Sequence, residues 1–213
     1  MTITKGRLVI VTISREYGAA GLAVSDGVAQ ALGYALLTDD LPTAVAARLG
    51  TSPQEVAARA GAEPPLAERV LGGLEAGTPE AVGSPPASVL DPFDADVRRE
   101  IERSVRERAA AGNVVILGRM GSVLLAGSAG LLRVFLTAPK AWRIERLCES
   151  FGFTPARAKA EIDRVDARRR NYARERFGIV WGSPEGYDLI VDTSRFGIDG
   201  AVDLIVAAVR RAQ

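Results

Sequence analysis

Residues 9–32 have the layout of a phosphate-binding segment: an apolar run, a polar stretch that contains Gly18 and Gly21, and a helix-like segment. The two glycines allow a tight path that points backbone N–H groups at one spot, where the helix dipole also favours an anion. No lysine follows them, so the GxxxxGK[ST] phosphate-loop pattern is not matched. A phosphate loop and an ordinary strand-to-helix turn are both open for this segment.

A second segment, NVVILGR (113–119), places an arginine directly after an apolar run. The run predicts a buried strand that ends in Gly118 and Arg119. Open α/β sheets bind ligands beyond the carboxyl ends of their strands, so Arg119 is placed where a ligand would be held. The alternative is an arginine that caps the sheet and donates to a loop carbonyl.

A third segment, 154–178, combines a helical pattern with a high density of arginine. Asp166 and Arg169 lie three residues apart on one predicted face, so the carboxylate can orient the arginine or bind a substrate hydroxyl or amino group. Either a solvated helix with i,i+4 ion pairs or a lid that closes arginines over phosphates explains the pattern. Its apolar positions are sparse and predict a narrow buried stripe: Ala158, Ile162, Val165 and Tyr172.

Composition excludes several kinds of chemistry. Histidine is absent and Cys148 is the single cysteine, which rules out a Ser-His-Asp triad, a Cys/His zinc site and an intramolecular disulfide. The net charge of +1 gives no basic field for nucleic acid. The sequence has no apolar run of about 18 residues and no signal-peptide pattern, so we expect a cytoplasmic protein without membrane contact.

Strands and helices alternate along most of the chain, which predicts a doubly wound α/β domain. Four nearly continuous apolar runs predict strands of a parallel sheet: 7–13, 113–118, 131–138 and 187–193. A weaker fifth strand is predicted at 34–37. Helical patterns are found at 22–32, 94–111, 140–151, 155–176 and 197–211.

Residues 39–93 differ, because they combine short helical patterns with a Gly/Pro/Ser-rich stretch and no convincing strand. We predict a helical insertion there, with a flexible stretch near 77–93. The predicted organisation is a single domain over 1–213 with that insertion and a lid-like segment at 154–185. Its core comprises 1–38, 94–153 and 186–213.

Taken together, these segments resemble the cytidylate kinase-like proteins, relatives of bacterial cytidylate kinase among the P-loop nucleoside monophosphate kinases. ISREYGAAG is similar to the family's opening I-S-R-[QEx]-[FY]-G-S-G-G, and VRREIERSVRERAAAGNVVILGR to its helix and strand ending in G-R. VFLTAPKAWRIERL, IDRVDARRRNY and WGSPEGYDLIVDTSRFG resemble the later motifs in the same order. The resemblance therefore extends over nearly the whole chain.

The resemblance implies a P-loop three-layer fold with a helical NMP-binding insertion and an arginine-rich lid helix. It also implies phosphoryl transfer from ATP with Mg²⁺ to a small-molecule acceptor. By position, it assigns the nucleotide loop to Ser14, Tyr17, Gly18, Ala19, Ala20 and Gly21. It assigns catalytic roles to Arg119 and Arg169, and the substrate-binding set is Asp39, Arg119, Arg143, Asp166 and Arg169.

The loop departs from the kinase pattern at its charged positions. The lysine position falls on Gly21, and the following positions, which would hold Mg²⁺, carry Leu22 and Ala23. A missing cation costs several kcal/mol of barrier, on the order of what one preorganised donor contributes. Arg15, at the mouth of the loop, is the nearest replacement and a third catalytic candidate. We expect Mg²⁺ to be carried by phosphates and water.

Three functions are consistent with these residues. The first is an ATP-dependent kinase acting on a nucleoside monophosphate of the CMP or dCMP type, or on a related phosphorylated acceptor. The second is a catalytically weak regulatory protein that binds nucleotide in the same pocket. The third is a small-molecule kinase with a hydroxyl acceptor. The sequence favours the first.

Overall fold

A computed structural model of the chain describes residues 10–38, 41–52, 56 and 92–211. Two compact units are present, one formed by Met1–Thr38 with Val105–Gln213 and the other by Asp39–Ser104. The Gly/Pro/Ser-rich stretch near 77–93 lies almost wholly outside the described residues, so its predicted flexibility stays a prediction. The predicted bounds of the insertion and of the lid-like segment also stay predictions.

The larger unit is built on a five-stranded parallel sheet. Its strands run in the order β2-β3-β1-β4-β5, which places β1 at the centre. All five predicted strands are confirmed, within a few residues of their predicted bounds. They are β1 (Ile10–Arg15), β2 (Ala35–Leu37), β3 (Val114–Leu117), β4 (Leu131–Thr137) and β5 (Leu189–Asp192).

Helices follow the predicted pattern, with two differences. The helices of the described residues are α1 (Gly21–Leu32), α2 (Leu41–Leu49), α3 (Pro92–Ala111), α4 (Gly121–Leu124), α5 (Lys140–Phe151), α6 (Pro155–Phe177) and α7 (Thr193–Arg211). The short α4 was not predicted, because one turn gives no periodic signal. α7 begins before its predicted start at residue 197 and is kinked there, since Gly197 has φ 67° and ψ −176°. No helix in the described ranges has the length and apolarity needed to cross a membrane.

The core lies between the sheet and the helix pair α1 and α7. Strand β1 is buried on both faces, as its continuous apolar run predicts. The two helices approach closely at Gly27, where a Cβ atom would lie 2.7 Å from Val202 Cγ2. Packing of this closeness fixes the position of α1 against α7.

Helix α6 buries one narrow stripe, as predicted, but the stripe does not include Tyr172. Tyr172 is 40% exposed and contacts Phe177 edge-on, whereas its neighbour Ala173 is buried. Residue 173 lies seven positions after Asp166, which returns it to the buried face of a helix with 3.6 residues per turn. The prediction for Tyr172 was therefore wrong, because position around the helix decides burial here and hydrophobicity does not.

Candidate functional site

The loop between β1 and α1 has the conformation that its glycines allow. Gly18 has φ 86°, and a Cβ atom there would lie 3.1 Å from Arg143 Cβ. Ala20, the N-cap residue of α1, is also left-handed, with φ 58° and ψ 23°. It gives the helix no side-chain cap, and the first turn of α1 carries no acidic residue. The positive end of the α1 dipole therefore faces the loop, and no acidic side chain in the first turn of α1 neutralises it.

Arg15 ends β1, and its side chain runs past two glycines. A Cβ atom on Gly21 would lie 2.6 Å from Arg15 Cγ, so the arginine stem fills the space beside this residue. A Cβ atom on Gly118 would collide with Arg15 Nη1. The guanidinium of Arg15 thus lies against Gly118, at the carboxyl edge shared by β1 and β3.

The turn after β3 holds three consecutive left-handed residues. Gly118, Arg119 and Met120 have φ of 72°, 54° and 53°. The N–H of Gly118 donates to the Ile13 carbonyl at 2.9 Å, which fixes the turn beside β1. Left-handed backbone costs a residue with a Cβ about 1–2 kcal/mol, and such strain collects at functional turns. Arg119 lies beyond the end of β3, as predicted, and directly follows Gly118, the glycine that the Arg15 guanidinium contacts.

Tyr17 is the point where the loop meets helices α5 and α6. Its N–H donates to Asp166 Oδ1 at 2.9 Å, and its carbonyl accepts from Arg143 Nη1 at 3.0 Å. Arg143 Nη1 also donates to Asp166 Oδ2 at 2.7 Å, and Arg143 Nε donates to the Ala138 carbonyl at 3.0 Å. Arg143 is 6% exposed and Asp166 is 3% exposed. A buried ion pair thus holds the main chain of the loop.

Arg169 approaches the same loop from α6. Its Nη1 donates to the Arg15 carbonyl at 3.0 Å and lies 3.7 Å from Asp166 Oδ1. Its guanidinium carbon is 5.9 Å from the centre of the Tyr17 ring. Asp166 and Arg169 therefore do share one face of the helix, and that face is turned to the loop.

Two residues of this network were not predicted. Glu16 Oε2 accepts from Thr137 Oγ1 at 2.7 Å and from the Ala138 N–H at 3.1 Å, and Glu16 Oε1 lies 3.5 Å from Arg143 Nη2. The fully buried Thr193 hydroxyl lies 3.2 Å from the Thr137 carbonyl and 3.4 Å from that of Ala19. A carboxylate inside a suspected anion loop was the signal for Glu16, because it requires a cation close by.

Comparison with known proteins identifies the family of this chain. The sequence model of the cytidylate kinase-like family matches residues 10–195. The chain belongs to the cytidylate kinase-like family. This confirms the resemblance recognised in the sequence motifs.

The family's curated relatives match over part of their length. The chain is 28% identical to the cytidylate kinase of Halobacterium salinarum over 116 residues, which are 54% of this chain and 60% of that one. It is 32% identical to the cytidylate kinase of Pyrococcus furiosus over 114 residues, 54% of this chain and 58% of the relative. The chain thus spans less than two thirds of the length of these relatives.

Solved structures match the fold over nearly the whole chain. An uncharacterized protein from Eubacterium ventriosum is similar with a TM-score of 0.67 and 19% identity, covering 95% of this chain and 98% of that one. A gluconokinase from Sinorhizobium meliloti has a TM-score of 0.54 and 16% identity, with 97% and 94% coverage. These likenesses confirm the predicted α/β kinase fold.

The residues that the family resemblance assigned to the site differ in how exposed their side chains are. Ser14 and Tyr17 are buried, and Ala19 is fully buried in the core beside the sheet, so their side chains are not presented to a ligand. Nucleotide binding by the six predicted loop residues stays a prediction. Asp39 lies outside the described residues. Arg143 and Asp166 are bound to the loop and to each other, and direct substrate binding by either stays a prediction.

A second arginine–carboxylate pair lies away from the loop. Arg133 in β4 donates from Nη2 to Asp188 Oδ1 at 2.7 Å and from Nε to Oδ2 at 3.2 Å. This two-pronged hydrogen bond lowers the pKa of Asp188 and raises that of Arg133.

Within the described ranges, no group of three or more acidic, histidine or cysteine side chains is arranged to hold a metal ion.

Proposed function

We propose that the protein is an ATP-dependent phosphotransferase whose acceptor is a nucleoside monophosphate of the CMP or dCMP type, or a related small phosphorylated molecule. Family membership and the kinase fold support the reaction class. The position of Arg15 is the observation that carries the proposal, because it supplies a cation where the loop has no lysine.

Arg15 can supply the positive charge that a loop lysine would carry, although it precedes the lysine position in the chain. Phosphoryl transfer depends on cations that neutralise the β- and γ-phosphates. Gly21 occupies the lysine position, and the stem of Arg15 fills the space beside it. The guanidinium reaches Gly118, and the main chain of Arg119 follows at the same sheet edge. A guanidinium fork binds phosphate oxygens in pairs, which suits this role.

The residues present fit ATP better than they fit a protein-bound Mg²⁺. Gly18, Gly21 and the uncapped start of α1 suit phosphate oxygens. Leu22, at a position that would hold Mg²⁺ in related kinases, is 62% exposed, and its side chain has no ligand atom. The nearby carboxylate of Asp166 is bound to Arg143. Mg²⁺ would therefore be held by phosphate oxygens and water, and the protein would contribute charge and position.

A nucleotide-binding protein with weak catalysis is the second candidate. The exposed Leu22 and the glycine at the lysine position favour it, because both remove groups that act on the transferring phosphate. Such a protein would use the same loop and the same arginines to detect nucleotide. The two candidates therefore differ in turnover and agree in binding.

One set of assays tests the proposal. The full chain is incubated with ATP, Mg²⁺ and each common nucleoside monophosphate, together with the variants Arg15→Gln and Arg169→Ala. We expect turnover with CMP or dCMP that falls about 100-fold in Arg15→Gln, the usual cost of one lost transition-state donor. Arg157→Gln is the control, since its guanidinium stacks on Phe153 at the start of α6.

The other outcomes each have a meaning. ADP binding by calorimetry without turnover supports the regulatory protein. Turnover only with unphosphorylated hydroxyl acceptors supports a small-molecule kinase. If wild-type protein binds no nucleotide, the assignment of the phosphate loop is wrong.

A further inference from the structure

We propose that Asp166 and Arg143 are positioning residues that clamp the main chain of Tyr17 and thereby set the shape of the phosphate loop. The proposal deepens the proposed function, on which its ligand-binding part rests. It also implies that the anion-binding part of the loop begins at Gly18, because the Tyr17 N–H is already donated to Asp166.

The clamp is a closed triangle of hydrogen bonds. Asp166 accepts from the N–H of Tyr17, Arg143 donates to the carbonyl of the same residue, and the two side chains bind each other at 2.7 Å. Both main-chain polar groups of Tyr17 are thus held from α5 and α6 together. Neither neighbouring peptide can rotate without breaking one of these bonds.

Burial makes the clamp hard to replace with water. The side chains of Arg143 and Asp166 are 7% and 4% exposed, so solvent has little access to either charge. A buried charge that loses its partner pays a desolvation penalty that water does not repay. The clamp therefore holds Tyr17 in one conformation.

The effect reaches the proposed ligand through chain connectivity. Arg169 holds the Arg15 carbonyl at 3.0 Å, the clamp holds Tyr17, and Gly18 follows at once. Gly18 itself packs against Arg143, with an added Cβ atom 3.2 Å from the Arg143 carbonyl oxygen. The direction of the N–H groups from Gly18 onward is therefore set by the clamped residues before them.

Both side chains are committed to contacts within the protein. Asp166 uses one oxygen for Tyr17 and the other for Arg143. Arg143 uses Nε and Nη1 for carbonyl and carboxylate oxygens, and its Nη2 lies 3.5 Å from Glu16 Oε1. These commitments support a positioning role rather than direct contact with the reacting atoms.

The chain contains a matched control for the clamp. Lys140 and Asp163 also form an ion pair between α5 and α6, one turn from Asp166 along the same helix. Their side chains are 39% and 54% exposed. Asp163→Asn therefore removes an α5–α6 ion pair with the same change of charge as Asp166→Asn, but leaves Tyr17 held.

Hydrogen exchange of the Tyr17 amide, followed by NMR on the full chain, tests the clamp directly. We expect exchange at least about tenfold faster in Asp166→Asn than in wild type, because a neutral amide accepts more weakly from the Tyr17 N–H and turns either its oxygen away from that N–H or its NH2 donor toward the donor of Arg143. Asp163→Asn should exchange at the wild-type rate. The amide of Val11 in β1 should stay as protected as in wild type, which separates loosening of the loop from loss of global stability.

Calorimetry with ADP and with inorganic pyrophosphate tests the consequence for binding. We expect Asp166→Asn to weaken both ligands by about tenfold or more, in proportion to the loss of preorganisation. Asp163→Asn should bind both as wild type does. If Asp166→Asn does not fold, Arg143→Lys takes its place, because it keeps the charge opposite Asp166 and loses the guanidinium fork.

The two proposals fail in different ways. Tyr17 exchange that is unchanged in Asp166→Asn, or accelerated equally in Asp163→Asn, overturns the clamp whatever the ligands do. Faster exchange with unaltered affinity overturns its role in shaping the binding loop. Wild-type protein that binds neither ligand refutes the proposed function, while the exchange rates still decide whether the clamp exists.

Discussion

Two ion pairs of this protein have the same length and different surroundings. Arg143–Asp166 and Arg133–Asp188 both have a shortest nitrogen–oxygen distance of 2.7 Å. The side chains of the first pair are 7% and 4% exposed, and those of the second are 29% and 38% exposed. Each pair also binds main chain, the first at Tyr17 in the loop and the second at Arg133 in β4.

Burial, rather than distance, decides what an ion pair does in this protein. Water can replace either partner of Arg133–Asp188, so that pair reinforces the join between β4 and β5 and contributes about 1 kcal/mol or less. Water cannot replace a partner of Arg143–Asp166, so loss of one group leaves a buried charge unpaired. The buried pair can therefore impose a shape on the loop, which the exposed pair cannot do for its strands.

The largest expected effect comes from breaking the buried pair. Asp166→Ala should lower the free energy of unfolding by about 3–5 kcal/mol, because Arg143 stays buried without its closest carboxylate. Asp188→Ala should lower it by about 1 kcal/mol or less. Urea unfolding of both variants at neutral pH measures the comparison. Equal losses would refute the distinction between the two pairs.

A smaller effect is expected when the buried charges stay and only Arg15 is displaced. Gly118→Ala should lower the free energy of unfolding by about 1–2 kcal/mol, since alanine disfavours φ 72°. It should also weaken pyrophosphate binding, because the new Cβ atom would collide with the Arg15 guanidinium.

Gly33→Ala is the matched control for that displacement. Gly33 has φ 66°, and nothing lies within 4 Å of an added Cβ atom. It should lose similar stability and bind pyrophosphate as wild type does. If both variants bind equally well, Arg15 does not contribute to anion binding.

The smallest expected effect concerns the exposed pair and its dependence on pH. Folding lowers the pKa of Asp188, so its pair contributes stability above the carboxyl's ordinary pKa of about 3.9. That contribution is lost as the pH falls through the lower pKa of the folded state. Asp188→Asn should therefore cost about 0.5–1 kcal/mol at pH 7, and less in 1 M salt.

Urea unfolding over a pH series checks this sign. The difference in unfolding free energy between wild type and Asp188→Asn should shrink as the pH is lowered below about 4. A difference that grows toward low pH would contradict the lowered pKa. Wild-type protein in high salt should resemble the variant more closely at every pH.

The fold was predictable because its signals are local and repeated. Continuous apolar runs marked the strands, and alternation with helical patterns marked the parallel sheet. Arg119 could be placed at the sheet edge for the same reason, since it directly follows a buried strand. The family resemblance then predicted which segments form the nucleotide loop and the lid, and both roles stay predictions.

The contacts of the site could not be predicted because they join distant segments. Nothing in the local pattern of α5 shows that Arg143 turns inward, and a charged helix such as α6 is usually solvated. The sequence predicts Arg15 as a replacement for the lysine because it lies at the mouth of the loop. The contact of its stem with Gly21 is visible only in the structure. The spacing of Asp166 and Arg169 predicted their shared face and not the loop that this face meets.

The loop depends on the clamp, so it cannot reach its final conformation until α5 and α6 have been synthesised. Tyr17 and Asp166 are 149 positions apart in the chain, and Arg15 and Arg169 are 154 apart. Contacts at such separations close long loops, which costs chain entropy and slows their formation. During synthesis, β1 and the loop leave the ribosome long before α6 exists. The loop thus receives its final form from residues that are synthesised 149 and 154 positions later.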